Sequence, residues 1–453
     1  MTDKRQRNQQ LAAAIEESGY TYEALAKATR AVAAESGELL RTSRSAVHYW
    51  VAGGTPTGRA PGYLAEALGR KLQRKVTVAE LALGCDPVEE TMHPDPLAAA
   101  ADLRRLIVHR RRDFLALAFS TAAVALPLTY DHQAAAAVLR AVANGRRIGA
   151  GELETVRQFT EMFRTADERH GGGHGLAAIT TYLDDVVTPM LHAGAFPNEE
   201  IRASAFGAAA ELTTLIGWKC HDAGREGAAQ KFYLLAYQFA CEGDPTGHTA
   251  WTMRALVHQA LDLKHPAGCV GLAQAAVERA RGKVDRQTEA LLLITAARAH
   301  GADGDRVTAA KLILAAEDAM LAGGADTIPA YAAAAGPAAA TVASHTGRTL
   351  TEMGDNKAAE RHYRTALDNR RPGTYHRLRG TTLANIAKAV AAQGRYEEAV
   401  GLWSQSLDLM EGVASRRNRA ELDTMHSALG LYARRGVRGA AELASRAVLL
   451  RAE

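Results

Sequence analysis

Apolar positions in the first part of the chain follow the spacing of helix faces. Leu11 and Ile15 are four residues apart, and Leu25 and Val32 are seven apart. Residues at these spacings lie on one face of an α-helix. The pattern predicts a set of short amphipathic helices, two within 8–33 and one each over 43–52, 61–72 and 76–83.

A longer period appears beyond about residue 150. A glycine followed by a helix of small residues recurs at steps of about 40 residues, and its clearest glycines are Gly224, Gly304, Gly354, Gly394 and Gly436. A fixed period of this length predicts stacked helical hairpins, because each glycine can end one helix and let the next one fold back on it.

The composition fits an all-α protein. Alanine dominates the apolar residues and only 6% of the chain is aromatic, which favours helix over strand. Residues 84–98 contain three prolines and four acidic residues, which is typical of a linker. The predicted organisation is a helical domain over 1–85, a linker with connecting helices over 86–149, and a repeat domain over 150–453.

Charge and reactive residues narrow the function classes. The chain has a net charge of +4, and residues 1–85 carry all of it, with 12 Lys and Arg against 8 Asp and Glu. This excess indicates an anionic partner at that end. The four cysteines show no paired spacing, and we find no catalytic signature or phosphate loop. We therefore expect no enzyme activity, no metal and no cofactor.

Two stretches have a plain structural interpretation beside a functional one. His170 and His174 could hold a metal, but the three glycines between them favour a loop. Residues 110–128 resemble a twin-arginine export signal, although their distance from the N-terminus and their short apolar run favour a buried helix. Export or membrane attachment is the alternative there. Because the N-terminus is polar, we expect a cytoplasmic protein without membrane association.

The segment over 43–52 has the clearest functional pattern. Val47 and Trp50 share one helix face, and Gly53, Gly54 and Pro56 follow to end the helix. A short helix with an apolar back and a polar N-terminal end is the anatomy of a recognition helix that enters the major groove of double-stranded DNA. Arginine suits guanine, and serines suit phosphates or bases. The candidate DNA-binding residues are Ser43, Arg44, Ser45, His48 and Tyr49.

The stretch "TSRSAVHYWVAGGTP" resembles the recognition helix of phage-repressor-like (Cro/C1, or XRE-type) helix-turn-helix domains. Residues 61–83 resemble the closing helices of that domain, so the resemblance covers about 1–85. The chain departs from the family between the second and third helices, where about ten extra residues, "AVAAESGELL", intervene. With the repeats, the arrangement resembles actinobacterial transcriptional regulators that join such a domain to tetratricopeptide-like repeats.

Two of the repeats resemble the tetratricopeptide pattern, one through Gly394, Ala399 and Trp403 and the other within "GDNKAAERHYRTAL". Aligning the copies on this motif predicts which residues face the groove of the repeat domain: Trp218, Arg298, His345, Arg348, Asn385 and Lys388. The Asn resembles one that holds peptide backbone in tetratricopeptide quorum sensors. We expect these residues to bind a peptide, small-molecule or protein effector. Solvated helix faces with scattered Arg and Lys are the alternative.

The resemblance implies a sequence-specific DNA-binding transcriptional regulator. We expect it to act as a homodimer on inverted half-sites, with the repeat domain sensing an effector, contributing to the dimer, or both. The alternative is a protein-interaction scaffold that uses its repeats and has only incidental affinity for DNA.

Overall fold

The computed structural model describes residues 6–84, 93, 95–109, 117–128, 130, 148–193, 195–323, 328–372, 375–413 and 415–452. Within these ranges the regular structure is helical and no β-sheet forms, so the predicted all-α fold class is confirmed. Most of the predicted linker over 86–149 lies outside the described residues. The first seven residues of the export-like stretch, 110–116, also lie outside them.

Over residues 6–84 the N-terminal region folds into four helices, which are α1 (Gln9–Ser18), α2 (Tyr22–Glu35), α3 (Arg44–Val51) and α4 (Ala60–Leu72). Side chains of Asn8, Thr21 and Ser43 accept hydrogen bonds from the first turns of α1, α2 and α3, which fixes where each helix begins. Helix α2 continues to Glu35, so it absorbs part of the extra segment. The connection to α3 therefore runs only over 36–43.

The predicted short helix over 76–83 is wrong. These residues form turns, and Ala82 has a φ of 51°. Val76, Val78, Leu81 and Leu83 are all buried in the N-terminal core. Their spacings of two, three and two residues do not match one helix face, so burying all four requires a turning backbone.

A middle region connects this domain to the repeats. Its described elements are α5 (Pro96–His109), a 3₁₀ turn (Ala122–Leu128), α6 (Ala150–His170), α7 (Leu176–Tyr182), a π-helical turn (Leu183–Val187) and α8 (Thr188–Ala193). Helix α6 packs against the first helix of the repeats, and it carries polar side chains toward their inner face.

Among the residues that the structure describes, six helical hairpins follow in chain order. They pair α9 (Glu199–Asp222) with α10 (Glu226–Gly243), α11 (Gly247–Asp262) with α12 (Cys269–Ala280), α13 (Arg286–Asp303) with α14 (Arg306–Ala322), α16 (Ala338–Glu352) with α17 (Asn356–Asp368), α18 (His376–Ala391) with α19 (Tyr396–Met410), and α20 (Arg416–Arg434) with α21 (Ala440–Ala452). A single turn, α15 (Ala330–Ala333), lies between the third and fourth hairpins.

The glycines predicted to end helices do so. Gly224, Gly304, Gly354, Gly394 and Gly436 each follow the first helix of a hairpin with φ between 74° and 92°. This left-handed conformation is accessible to glycine at little cost and reverses the chain after a helix. Small residues after each glycine, such as Ala359 and Ala399, are fully buried, so the paired helices approach closely.

Candidate functional site

Helix α3 is held on the N-terminal domain by its apolar back. Val47 is fully buried and Trp50 is 7% exposed, and both belong to the core formed with α1, α2 and α4. The backbone amide of Asn8 donates to the carbonyl oxygen of Val51 at 2.9 Å, which connects the end of α3 to the start of α1. The opposite side of α3 is left to solvent.

The five candidate DNA-binding residues all lie on this exposed side. The Ser43 hydroxyl oxygen caps the helix by accepting from the Ala46 amide at 3.3 Å. The ring of His48 meets Tyr22 edge-on at 6.1 Å. Tyr49 is 45% exposed, and its ring packs so closely over Gly54 that a Cβ there would collide with it. Arg44 and Ser45 extend into solvent; base contact by any of the five stays a prediction.

The repeats contact the N-terminal domain at the far end of α2. His265 lies 3.1 Å from Glu35, whose carboxylate also pairs with Arg70 at 2.7 Å. Burial raises the pKa of Glu35, but the hydrogen bonds from His265 and Arg70 outweigh it and hold that pKa below its usual value. Arg416 donates to the backbone carbonyls of Ala34 and Glu35. This interface leaves the polar side of α3 uncovered.

The inner face of the repeats encloses a cavity of about 210 Å³. Most of its lining comes from the first helices of the hairpins, namely α9, α11, α16, α18 and α20, with α6 on one side. The first helices are the ones that the tetratricopeptide pattern places on the groove. The cavity therefore occupies the part of the repeat domain where an effector site is predicted.

Asp262, at the end of α11, organises the charges on one side of the cavity. Its carboxylate lies 3.2 Å from Arg298, 3.3 Å from Arg348 and 3.0 Å from Arg417. His221 completes the group at 3.5 Å. Although burial raises the pKa of Asp262, these cations hold it well below its usual range. The carboxylate of Asp262 thus connects its own hairpin to polar side chains of four other hairpins.

A second buried group links α6, α9 and α18. Arg377 bridges Asp167 and Asp222 at 2.9 Å each. The indole Nε1 of Trp218 donates to Asp167 at 3.2 Å, and its ring lies 5.2 Å from the Arg377 guanidinium. Lys219, fully buried, reaches the same Asp167 at 3.3 Å. Charge-assisted hydrogen bonds of this kind fix the rotamers of the lining.

Two neighbouring histidines with tilted rings line the cavity beside Arg298. The rings of His258 and His345 are 4.6 Å apart, and Arg298 lies 2.8 Å and 3.4 Å from their Nδ1 atoms. Burial lowers the pKa of both imidazoles well below the usual value, and the nearby arginines add to the effect. Both rings are therefore neutral at physiological pH and add no charge to the cavity.

The structure brings together some of the predicted effector residues. Trp218, His345 and Arg348 line the cavity. Arg298 is 3% exposed and lies behind the lining, where it holds Asp262 and His258. Asn385 and Lys388 do not line the cavity. Lys388 instead pairs with Glu421 at 2.9 Å; an effector role for any of the six stays a prediction.

Several cavity residues were missed in the sequence, although α11 carries a signal for them. Trp251, Arg254, His258 and Asp262 follow one another at spacings of three, four and four residues, which puts them on one helix face. That face is polar on a helix that is otherwise almost entirely buried. A polar stripe on a buried helix indicates a polar cavity, because buried polar groups need partners.

Within the described ranges, no three His, Cys, Asp or Glu side chains come together to form a metal site. The rings of His170 and His174 are 4.7 Å apart, and His174 lies in the glycine turn after α6. Among the described helices, none combines the length and apolarity needed to cross a bilayer.

Two family models match parts of the chain. One, described as the SP15 N-terminal domain, matches residues 11–84. This is a different description from the Cro/C1-type domains that the recognition-helix stretch resembles. The other, a tetratricopeptide repeat, matches residues 338–412. That range spans α16 to α19 and contains the two copies in which the sequence shows the motif, so the repeats are confirmed there.

Comparison with whole proteins adds little. No curated protein matches the chain. Among solved structures, the chain is similar to nearly identical TPR-like repeats of a protein described as a Podosopora anserina kinesin light chain. The identity is 18%, the match covers 44% of this chain and 93% of that chain, and the TM-score is 0.33. At this score the similarity carries no argument. What the family match and the hairpins establish is a C-terminal region with tetratricopeptide-like repeats.

Proposed function

We propose that this chain is a DNA-binding regulator whose repeat domain holds an effector. The observation that carries the proposal is the contrast across α3, where Val47 and Trp50 are buried while Arg44, Ser45 and His48 are exposed. A helix anchored in this way can enter a major groove without rearranging its domain. The proposal includes a cytoplasmic homodimer on double-stranded DNA and no enzyme activity.

The dimensions and charge of α3 support groove binding. An α-helix with its side chains is about 10–12 Å across, so α3 fits a major groove that is about 12 Å wide. Arg41 and Arg44 are both exposed, and neither forms an ion pair with a carboxylate in the described part of the chain. Unpaired arginines beside a helix N-terminus suit phosphates and guanine edges. The net charge of residues 1–85 favours the same partner.

Adjacent residues at the start of α20 support communication between the cavity and the N-terminal domain. Arg416 holds the backbone at the end of α2, at Ala34. Arg417, the next residue, pairs with Asp262 at 3.0 Å and lies 5.1 Å from the Trp218 ring in the cavity wall. An effector that draws Arg417 away from Asp262 therefore acts on the same helical turn that holds α2. Such a ligand can change where the DNA-binding domain lies.

The test is DNA binding by the full chain. Duplexes are selected from a random pool, and the affinity of the best site is then measured for wild type, Arg44→Ala and Arg306→Ala. Arg306 is an exposed arginine of α14, so its loss removes the same charge from the repeat domain. We expect Arg44→Ala to cost about 1–3 kcal/mol of binding free energy and to relax specificity at one base pair. Equal affinities for all three proteins would remove Arg44 from base reading.

A second candidate function is a protein-interaction scaffold, which the tetratricopeptide match over 338–412 favours. In that case DNA binding would be weak, independent of sequence and lost at about 200 mM salt, since such contact comes mainly from counterion release. Salt titration on selected and scrambled duplexes separates the two. A selected site that is held at this salt, while the scrambled one is released, supports the regulator.

A further inference from the structure

We infer that the cavity binds a small organic anion, in which a carboxylate or phosphate group is attached to a flat apolar body, and that Arg254 and Arg370 are its counter-ions. This inference rests on the proposed effector role of the cavity and names the chemistry of the effector. Both arginines line the cavity. Both are also deeply buried, with 9% of Arg254 and 3% of Arg370 exposed.

Neither guanidinium has a counter-ion among the described residues. Arg254 donates from Nε to the Leu291 carbonyl at 3.4 Å and lies 4.4 Å from the Trp251 ring. Arg370 donates to Thr382 Oγ1 at 2.9 Å, and its buried Nε finds no hydrogen-bond partner in the described part of the chain. Burial lowers the pKa of Arg254 to about 9 and that of Arg370 to about 10, and neighbouring arginines contribute. Both side chains are still charged at neutral pH.

Other arginines of the same lining are in contact with carboxylates. Arg348 and Arg417 share Asp262, and Arg377 pairs with Asp167. These carboxylates are therefore already engaged by cations. They cannot also neutralise the two arginines that lack partners.

The carboxyl groups of the lining are too few to balance its arginines. The lining contains six arginines and four carboxyl residues, and two of the four are Glu168 and Glu211. Burial raises the pKa of both glutamates above its usual value, which favours their neutral forms. The cavity thus has an excess of positive charge, and buried charge without a partner is unfavourable. A bound anion removes that cost.

The walls and the volume define the rest of the ligand. Trp251 and Tyr331 line the cavity, and the Tyr331 ring stacks on His248 at 4.6 Å. The Arg377 and Arg417 guanidinium groups lie 5.2 Å and 5.1 Å from the Trp218 ring. Flat aromatic walls of this kind favour a flat apolar body. A volume of about 210 Å³ fits a small molecule rather than a folded partner or a long peptide.

The probes are isophthalate, its neutral diamide, inorganic phosphate and an acidic peptide, each titrated into the full chain by calorimetry and by thermal unfolding. We expect isophthalate to bind and raise the unfolding temperature, phosphate to bind more weakly, and the diamide to have no effect. Arg254→Met and Arg370→Met should each weaken isophthalate by about tenfold or more, since each removes one charge-assisted contact.

The unliganded variants provide an independent test. Because Met is apolar and similar in length, Arg254→Met and Arg370→Met should leave the unfolding temperature unchanged or raise it. Arg377→Met is the matched control, because this buried cavity arginine is paired and its loss should lower the unfolding temperature. A fall in Arg254→Met and Arg370→Met as large as in Arg377→Met would show that the two arginines are structural and would overturn the inference.

The outcomes also separate this inference from the proposed function. It is overturned if the diamide binds as well as isophthalate, if neither anion binds at about 10 mM, or if only the acidic peptide binds. DNA affinity is measured on the same preparations. Anion binding without sequence-specific DNA binding refutes the regulator alone, whereas DNA binding with no anion binding refutes the anion site alone.

Discussion

Helix α3 and the repeat cavity differ in how far apart in sequence their residues lie. Helix α3 takes its exposed polar face from one short segment, with a cap at Ser43 and two buried anchors at Val47 and Trp50. The cavity draws its lining from residues between Arg164 and Arg417, on helices of several hairpins. The exposed residues of a surface helix can be predicted from the spacing of apolar residues in one segment. The lining of a cavity between hairpins depends instead on which helical turns face one another in the folded chain.

The two regions also differ in how they hold charge. Arg44 is exposed, so water solvates it and it needs no partner. In the cavity, Asp262 accepts from three arginines and is only 16% exposed. Removing one member of such a buried group leaves the others without compensation. Substitutions that break these paired charges should therefore affect folding more than substitutions on the polar side of α3.

The largest effect is expected at the shared carboxylate. Asp262→Asn should lower the free energy of unfolding by about 3–5 kcal/mol, because Arg298, Arg348 and Arg417 lose their common counter-ion. Urea denaturation measures the change. Asp303→Asn is the control, since this carboxylate at the end of α13 is exposed. A loss under about 1 kcal/mol at Asp262 would show that buried pairing does not dominate the cavity.

A somewhat smaller effect is expected in the N-terminal domain. Trp50→Ala should cost about 3 kcal/mol by opening a void beneath α3, and the loss should be confined to that domain because its core is separate from those of the repeats. Hydrogen exchange should show faster exchange in α1 to α4 and no change in the hairpins. Tyr49→Ala, at an exposed neighbour, serves as the control. Equal effects of the two variants, or faster exchange in the repeats, would contradict the comparison.

The smallest effect concerns pH. Burial lowers the pKa of His221, but Glu226 and Asp262 outweigh it and raise that pKa to about 9. The stabilisation that protonated His221 provides is complete below the histidine pKa of the unfolded chain, about 6.5, and is lost as the pH rises through about 9. Unfolding free energy should fall by about 1–2 kcal/mol from pH 6.5 to 8.

His221→Gln should remove most of this fall in unfolding free energy between pH 6.5 and 8. Below pH 6.5 stability should fall for another reason, because the pKa values of His258 and His345 are lowered and the unfolded chain takes up protons that the folded chain does not. His221→Gln should not change this fall in stability below pH 6.5. If unfolding free energy changes with pH between 6.5 and 8 equally in His221→Gln and in wild type, a protonated His221 is excluded.

Much of the fold follows from local patterns in the sequence. The glycines that end the first helices, Gly304 and Gly394 among them, could be identified because a helix terminus with positive φ strongly favours glycine. Leu25 and Val47 could be placed in a core because helical spacing predicts a buried face. Residues 76–83 could not be predicted, since their turning backbone is fixed by burial against α4 and not by a regular period.

The site was only partly predictable. The repeat register found Trp218, His345 and Arg348, which line the cavity. It also selected Asn385 and Lys388, because their copies occupy equivalent positions, yet those two residues lie away from the cavity. Equivalent positions in a stack of repeats face the same groove only if the stack turns evenly. Here α15 interrupts the series between the third and fourth hairpins.

By itself the sequence determined most of the helices, the helix-ending glycines and the buried back of α3, because helical period and backbone conformation are properties of neighbouring residues. Only the tertiary structure decided which arginines have a counter-ion. Arg377 meets Asp167 across 210 residues of chain, whereas Arg254 meets none of the described carboxylates. Such pairing depends on how whole hairpins stack, and the low-dielectric interior makes the difference between paired and unpaired charge energetically large.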